Sequence, residues 1–213
     1  MIDYNPRNAS WLLLILYVVG IGGMLSPYQS TFILLTPFNL LISLGLVLYY
    51  QEPKTHAFYS RFYLVMLTGF LVEVLGVNTG FPFGEYTYGV AFGPRILGTP
   101  PLIGVNWFIV VYGALMWVKK WGWGNRLIQS LLVGLMVVAL DVIMEPVAIA
   151  LGFWEWADPN VPLQNYISWA VIGGAMAYYL NQDPLPTDIQ IAKWVFVMQA
   201  LFFSTLYFGL GYI

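Results

Sequence analysis

Long apolar segments, each about the length of a membrane-spanning helix, dominate the sequence. A helix needs ~20 mostly apolar residues to cross the hydrocarbon core of a bilayer. The sequence predicts about seven such helices: Trp11–Leu25, Thr31–Tyr50, Arg61–Val77, Pro100–Val118, Leu127–Leu151, Tyr166–Leu180 and Ile189–Leu210. Pro37, in an early turn of the second segment, predicts a kink there. The expected fold is all-α, a polytopic transmembrane helical bundle that forms a single integral membrane domain over residues 1–213.

The composition supports the membrane class. Hydrophobic residues make up 60% of the chain and charged residues only 8%, whereas a soluble domain carries about 25% charged residues. The chain has no cysteine, which excludes disulfides, thiolate metal ligands and a thiol nucleophile. The net charge of −2 and the lack of a basic run argue against a nucleic-acid partner.

Basic residues predict the orientation of the chain. With seven helices, all of the eight lysines and arginines except Arg95 fall on the side of the N-terminus. These are Arg7, Lys54, Arg61, Lys119, Lys120, Arg126 and Lys193. Loops rich in Lys and Arg stay in the cytoplasm. We therefore expect a cytoplasmic N-terminus in a bacterial or archaeal cytoplasmic membrane, with the loops Asn78–Thr99 and Gly152–Gln164 on the outer face.

Four acids in or beside apolar segments are the candidate catalytic residues: Glu73, Glu85, Asp141 and Glu145. A carboxyl group near hydrocarbon must be neutralised, paired or hydrogen-bonded, so an acid there indicates a functional site. Asp141 and Glu145 lie one helical turn apart, and because two such carboxylates repel each other, at least one should hold a proton and serve as a general acid. Asp141, the deeper acid, is the expected proton donor and Glu145 the group that polarises water, although these roles could be exchanged. The structural alternative is that the acids only hold the bundle together.

Aromatic and amide side chains near these acids are the candidate substrate-binding residues. They are Asn78, Phe81, Phe83, Tyr86, Tyr88, Asn106, Trp107, Trp154, Trp156 and Asn165. Ring faces can stabilise a cation, and amides can orient water or a carboxylate. The alternative is that the rings form an interfacial aromatic belt and that the asparagines cap helix ends.

Five motifs together resemble one known family. They are the glycine-rich and aromatic stretch Glu73–Gly89, the pair Asn106-Trp107, and the stretches Asp141–Ala148, Phe153–Trp156 and Val161–Trp169. These residues resemble the membrane carotenoid hydratases of the CruF type, which include bisanhydrobacterioruberin hydratase. The stretch with two glutamates is the most specific of the five.

The resemblance covers roughly residues 70 to 170 and implies a reaction. Water would add across the terminal C1–C2 double bond of an acyclic carotenoid end, giving a tertiary alcohol. The implied substrates are of the lycopene, gamma-carotene or bisanhydrobacterioruberin type, taken from the bilayer, and the co-substrate is water. Neither a cofactor nor a metal is implied.

The residues themselves suit that reaction and leave two alternatives open. Hydration of an unactivated alkene needs a proton donor, a dry pocket that tolerates a cation, and one water. A carotene cyclase would also protonate an end group but let an internal double bond capture the cation. A small transporter or proton channel would carry intramembrane acids as well, although the acids lie towards one face and no inverted repeat is evident.

Overall fold

The computed structural model describes residues 6–183, 185–186 and 188–211. The helices are α1 Pro6–Met24, α2 Gln29–Ile33, α3 Thr36–Tyr50, α4 His56–Thr79, α5 Leu102–Trp121, α6 Arg126–Ala150, α7 Leu163–Leu180 and α8 Gln190–Gly209. Two short strands, β1 Tyr86–Tyr88 and β2 Trp154–Trp156, complete the described elements.

Six helical segments are long and apolar enough to cross a membrane, when α2 and α3 are taken together as Gln29–Tyr50. The remaining long helix, α7, is less apolar because Gln164 and Asn165 lie in its first turn. Apolar side chains cover the outside of the bundle; on α6, for example, Leu131, Leu135 and Val142 are exposed. These features confirm the predicted all-α transmembrane bundle.

The kink predicted at Pro37 is a complete break between two helices. The helix α2 ends at Ile33, and α3 begins at Thr36 with Pro37 in its first turn. A proline ring clashes with the carbonyl group four residues earlier, which here belongs to Ile33. The proline therefore ends one helix and begins the next.

The third predicted helix is longer than the sequence indicated. The helix α4 begins at His56, because the Thr55 side chain accepts a hydrogen bond from the backbone N–H of Phe58 and caps the N-terminus. It ends at Thr79, followed by Gly80 in the left-handed conformation with φ of 72°. Asn78, expected in a loop, thus lies in the last turn of α4.

The helix α5 is the centre of the bundle and contacts α3, α4, α6, α7 and α8. Of its most apolar 18-residue stretch, 83% is buried. Glycines allow the close approach of α4 and α5: a Cβ on Gly104 would lie 2.3 Å from the carbonyl oxygen of Met66, and one on Gly69 would lie 2.7 Å from Cβ of Trp107. Small residues at helix contacts serve this purpose in membrane bundles. This packing brings Trp107 of α5 next to α4.

A two-stranded antiparallel sheet joins the two segments that the sequence predicted as separate outer loops. Tyr86 pairs with Trp156, and Tyr88 pairs with Trp154. Side chains alternate between the faces of a strand, so these four aromatic residues are buried on one face while Thr87 and Glu155 are exposed on the other. The sheet packs against α4 and α6 and presents four aromatic side chains to the acids of those helices.

Candidate functional site

Glu73 of α4 accepts hydrogen bonds from three aromatic side chains. It is buried, with 3% of its surface exposed. The hydroxyl groups of Tyr86 and Tyr88 both donate to Oε2, the latter over 2.7 Å, and Nε1 of Trp107 donates to Oε1 over 2.9 Å. Tyr86 and Tyr88 reach the same oxygen because residues i and i+2 of a strand share a face.

The two tyrosines remain hydrogen-bond donors to Glu73. Burial, and then the neighbouring Glu73 carboxyl group, raise the pKa of Tyr86 and Tyr88 well above that of an exposed tyrosine. Both hydroxyl groups therefore keep their protons at any physiological pH. The strand β1 thus supplies two fixed donors to one carboxyl oxygen.

Glu145 of α6 is held by the other strand in a similar way. Nε1 of Trp154 and Nε1 of Trp156 donate to its Oε2 over 2.9 and 3.0 Å. The amide of Asn165 on α7 donates to Oε1 over 3.3 Å. Each strand of the sheet therefore positions one glutamate, β1 that of α4 and β2 that of α6.

Asp141 lies one turn from Glu145 on α6 and has fewer donors. The amide of Asn165 donates to its Oδ2 over 2.8 Å, so a single amide group bridges Asp141 and Glu145. Asp141 has no exposed surface, and its Oδ1 meets no hydrogen-bond donor within the described part of the chain. Leaving a buried polar atom unpaired costs free energy, so the position of this oxygen needs an explanation.

Both glutamates line one small cavity. Glu73 and Glu145 line it together with Phe83, Tyr86, Tyr88, Ile103, Asn106, Met144, Trp154, Trp156, Asn165 and Trp169. Its volume of about 20 Å³ matches what one water molecule needs. The ring of Trp169 stacks on that of Trp107 at 4.2 Å. The cavity is thus a mostly aromatic chamber that two carboxyl groups line.

A larger and mostly apolar cavity of about 220 Å³ adjoins the small one. Asn106 and Met144 line both cavities and form the boundary between them. On the outer side, Val19, Phe38 and Ile42 line the larger cavity and are themselves exposed on the bundle surface. This cavity therefore leads from the lipid-facing surface of α1 and α3 to the chamber with the carboxyl groups.

The structure brings together most of the candidates that the sequence indicated. The assembled residues are Glu73, Phe83, Tyr86, Tyr88, Asn106, Trp107, Asp141, Glu145, Trp154, Trp156 and Asn165. Three candidates lie elsewhere. The side chains of Glu85 and Phe81 are exposed, and the exposed amide of Asn78 donates to the carbonyl groups of Val74 and Leu97, which fastens the following loop to α4.

Sequence reasoning missed several residues that line the cavities. Trp169 ends one of the five motifs but is not among the predicted substrate-binding residues, yet it lines the small cavity and lies four residues after Asn165, on the same face of α7. Tyr17 and Gln199 line the larger cavity. Each is a polar side chain within an apolar helix, and this is the signal that could have indicated them.

The fold and site define an integral membrane protein with a buried acid centre closed by an aromatic sheet. The chain belongs to the family described as carotenoid biosynthesis proteins, whose sequence model matches residues 32–211. It is 40% identical over 127 residues to the bisanhydrobacterioruberin hydratase of Haloarcula japonica. That alignment covers 55% of this chain and 43% of the relative, so the chain matches less than half the length of that protein. No solved structure matches the chain.

Proposed function

We propose that this protein is a carotenoid hydratase that adds water across the terminal C1–C2 double bond of an acyclic carotenoid end. The observation that carries the proposal is the cluster of three buried carboxyl groups at the inner end of an apolar cavity. The family assignment and the name of the relative agree with this activity. Substrates of the lycopene, gamma-carotene or bisanhydrobacterioruberin type all present such an end.

The reaction begins with a proton. Addition of the proton to C2 leaves a tertiary cation at C1, water attacks C1, and the proton that the water loses returns to a carboxylate. The face of an aromatic ring attracts a cation, and the buried rings of Phe92 and Phe153 line the larger cavity, in which this cation would form. The chamber has room for about one water, which suits capture by a single nucleophile.

The carboxyl groups differ in how many donors they receive, and this suggests their roles. Hydrogen bonds from donors favour the charged form of a carboxyl group. Glu73 and Glu145 each accept three, and Asp141 accepts one. We assign the proton that is added to C2 to the Asp141–Glu145 pair, which acts as a unit. Glu145 is the member of the pair that lines the chamber. Glu73 is assigned the role of a carboxylate.

The larger cavity suits a substrate that arrives through the membrane. A carotenoid dissolves in the hydrocarbon core, and residues at the outer rim of this cavity face the surrounding lipid. One end of the polyene can enter between α1 and α3 while the remainder stays in the bilayer. The proposed partners are therefore a carotenoid from the bilayer and water.

The activity can be tested by expressing the chain in a host that produces lycopene and measuring carotenoid extracts by mass spectrometry and absorption. A hydratase gives products heavier by one water per modified end. A cyclase gives products of unchanged mass with an altered spectrum. Unaltered carotenoids, in cells shown to contain the inserted protein, would contradict both activities for lycopene. The assay is then repeated in hosts that produce gamma-carotene or the longer acyclic carotenoids.

A further inference from the structure

The loop between β1 and α5 contains a tight hairpin at residues 96–99. The backbone N–H of Ile96 donates to the carbonyl oxygen of Thr99 over 2.8 Å, and that of Thr99 donates back to Ile96 over 3.0 Å. The two central residues, Leu97 and Gly98, have positive φ values of 51° and 79°. Turns of this kind favour asparagine or aspartate followed by glycine. In the described part of the chain, Leu97 is the one residue other than glycine with a positive φ.

The Leu97 side chain gains little from the protein in return for this conformation. It is 69% exposed, and that of the neighbouring Ile96 is 56% exposed. A left-handed conformation costs free energy for leucine because its Cβ comes too close to the following carbonyl oxygen, and glycine would avoid this cost. Such strain persists where something else compensates for it. Because the side chain is mostly uncovered, we look for that compensation outside the protein.

The hairpin is fastened to the end of α4. Nδ2 of Asn78 donates one hydrogen to the carbonyl oxygen of Leu97 over 2.9 Å and the other to that of Val74 over 2.7 Å. Gly98 packs so closely on the same helix that a Cβ there would lie 2.9 Å from Cγ1 of Val77. Both hydrogens of the Asn78 amide thus have partners within the protein, as surroundings with little water require.

The part of α4 that holds the hairpin belongs to the lipid-facing surface. Leu67, Leu71 and Leu75 are exposed on this helix, which is long and apolar enough to cross the membrane. Asn78 follows Leu71 by seven residues, and this spacing places it on the same face. The helix is about 36 Å long and the hydrocarbon core about 30 Å thick. Its last turn, and the hairpin bound to it, therefore lie where hydrocarbon meets the lipid headgroups.

We propose that the hairpin is a membrane anchor that inserts Leu97 and Ile96 into the lipid at the sheet end of the bundle. Burial of a leucine side chain in hydrocarbon is large enough to offset the cost of its left-handed conformation. Arg95, which is exposed beside them, can extend its guanidinium group to lipid phosphates while its stem lies along apolar surface. The anchor fixes the depth of the end of α4, the helix that carries Glu73. The partner is the phospholipid bilayer, whether or not the protein hydrates carotenoids.

The test measures whether the hairpin lies in lipid or in water. The chain has no cysteine, so Leu97→Cys provides a unique thiol for an environment-sensitive fluorophore. The labelled protein is reconstituted into phospholipid nanodiscs, and its fluorescence is quenched with lipids that carry a nitroxide near the headgroup or with aqueous iodide. Thr87→Cys, on the exposed face of β1, is the matched control for water, and Leu71→Cys is the control for the membrane interior.

The anchor predicts that the label at Leu97→Cys is quenched more by the nitroxide lipid and less by iodide than the label at Thr87→Cys, and that its emission is shifted to shorter wavelength. Iodide quenching equal to that of Thr87→Cys would overturn the proposal. Protection from both quenchers would also overturn it, because another protein surface, such as a second copy of the chain, would then cover the hairpin. Circular dichroism verifies folding, and Ile96→Cys decides the question if Leu97→Cys does not fold.

A second measurement uses the strain at Leu97. Asparagine adopts the left-handed conformation more readily than leucine, so Leu97→Asn relieves the strain and removes the apolar side chain. If Leu97 faced water, this variant would unfold at a higher temperature than the wild type in nanodiscs. The anchor predicts an unfolding temperature equal to or below that of the wild type, because the lost lipid contact offsets the relief. A higher unfolding temperature would contradict the anchor.

Discussion

The three buried carboxyl groups are distinguished by their immediate neighbours. Glu73 and Glu145 lie in cradles of aromatic N–H and O–H donors, while Asp141 shares one amide with Glu145. Asp141→Asn and Glu145→Gln keep the size of each side chain and remove its exchangeable proton. Loss of general acid catalysis should lower the hydration rate by about 10²-fold to 10⁴-fold, measured by product mass in the extract assay.

The matched control for these variants is Glu155→Gln. Glu155 lies between Trp154 and Trp156 on β2 but on the exposed face, so its loss of charge should leave the rate within about twofold of the wild type. Both acid variants should remain inserted and still bind carotenoid. A normal rate in Asp141→Asn would mean that Asp141 does not supply the proton, and Glu73→Gln would then be the next variant to measure.

At this scale the sequence indicated the acids and the side chains around them, but not which donor reaches which acid. A carboxyl group within an apolar helix is conspicuous in one dimension. The donors to Glu73 come from residues 13, 15 and 34 positions away, and only packing brings them together. For the same reason the sequence grouped Glu85 with Glu73, whereas the Glu85 side chain is exposed outside the cluster.

The small sheet is the element that connects the two glutamates. Gly89, next to β1, packs so closely on the other segment that a Cβ there would lie 1.8 Å from the carbonyl oxygen of Gly152. Gly89→Ala should separate the strands, destabilise the protein by about 1–3 kcal/mol and misplace the donors to Glu73 and Glu145. Thermal unfolding of the protein in detergent, followed by circular dichroism, measures the first effect, and product mass measures the loss of hydration.

Gly45→Ala is the control for this variant. Gly45 lies in α3, and a Cβ there would meet nothing within 4 Å. Replacing a helical glycine by alanine usually stabilises the helix by up to about 1 kcal/mol. An equal response of the two alanine variants would contradict a structural role for the close contact at Gly89.

The long helices could be predicted because each one corresponds to a continuous apolar stretch of the sequence. Apolar runs of about 20 residues predicted the seven long helices, because a helix satisfies its own backbone hydrogen bonds within the membrane. The strands Tyr86–Tyr88 and Trp154–Trp156 have three residues each, too few for a period of two to be seen. Their pairing joins segments far apart in sequence, which no local pattern contains.

For the whole molecule, the sequence predicted the class and could not predict the cavities. The class follows from the scarcity of charge and the length of the apolar runs. The larger cavity depends instead on how side chains of α1, α3, α6 and α8 fail to fill the space between them. Such a volume is set by packing in three dimensions, so Tyr17 and Gln199 had no visible relation in the sequence.

The orientation of the molecule is the remaining prediction at this scale. Seven of the eight basic residues flank one end of the bundle, so the positive-inside rule predicts that the sheet and the carboxyl cluster lie towards the outer face. His56 and Thr87 are both exposed. His56 is the first residue of α4, a helix of 24 residues and about 36 Å in length, and Thr87 lies in β1, which follows the other end of that helix. The chain has no cysteine, so His56→Cys and Thr87→Cys each introduce a unique thiol.

A membrane-impermeant maleimide should label Thr87→Cys in intact cells and His56→Cys only after the membrane is opened. The wild-type protein, treated in the same way, gives the background. The reverse pattern would place the carboxyl cluster towards the cytoplasm, so that the larger cavity would open in the inner leaflet. Labelling of both thiols from one side would mean that α4 does not cross the membrane, and the count of spanning helices would then be wrong.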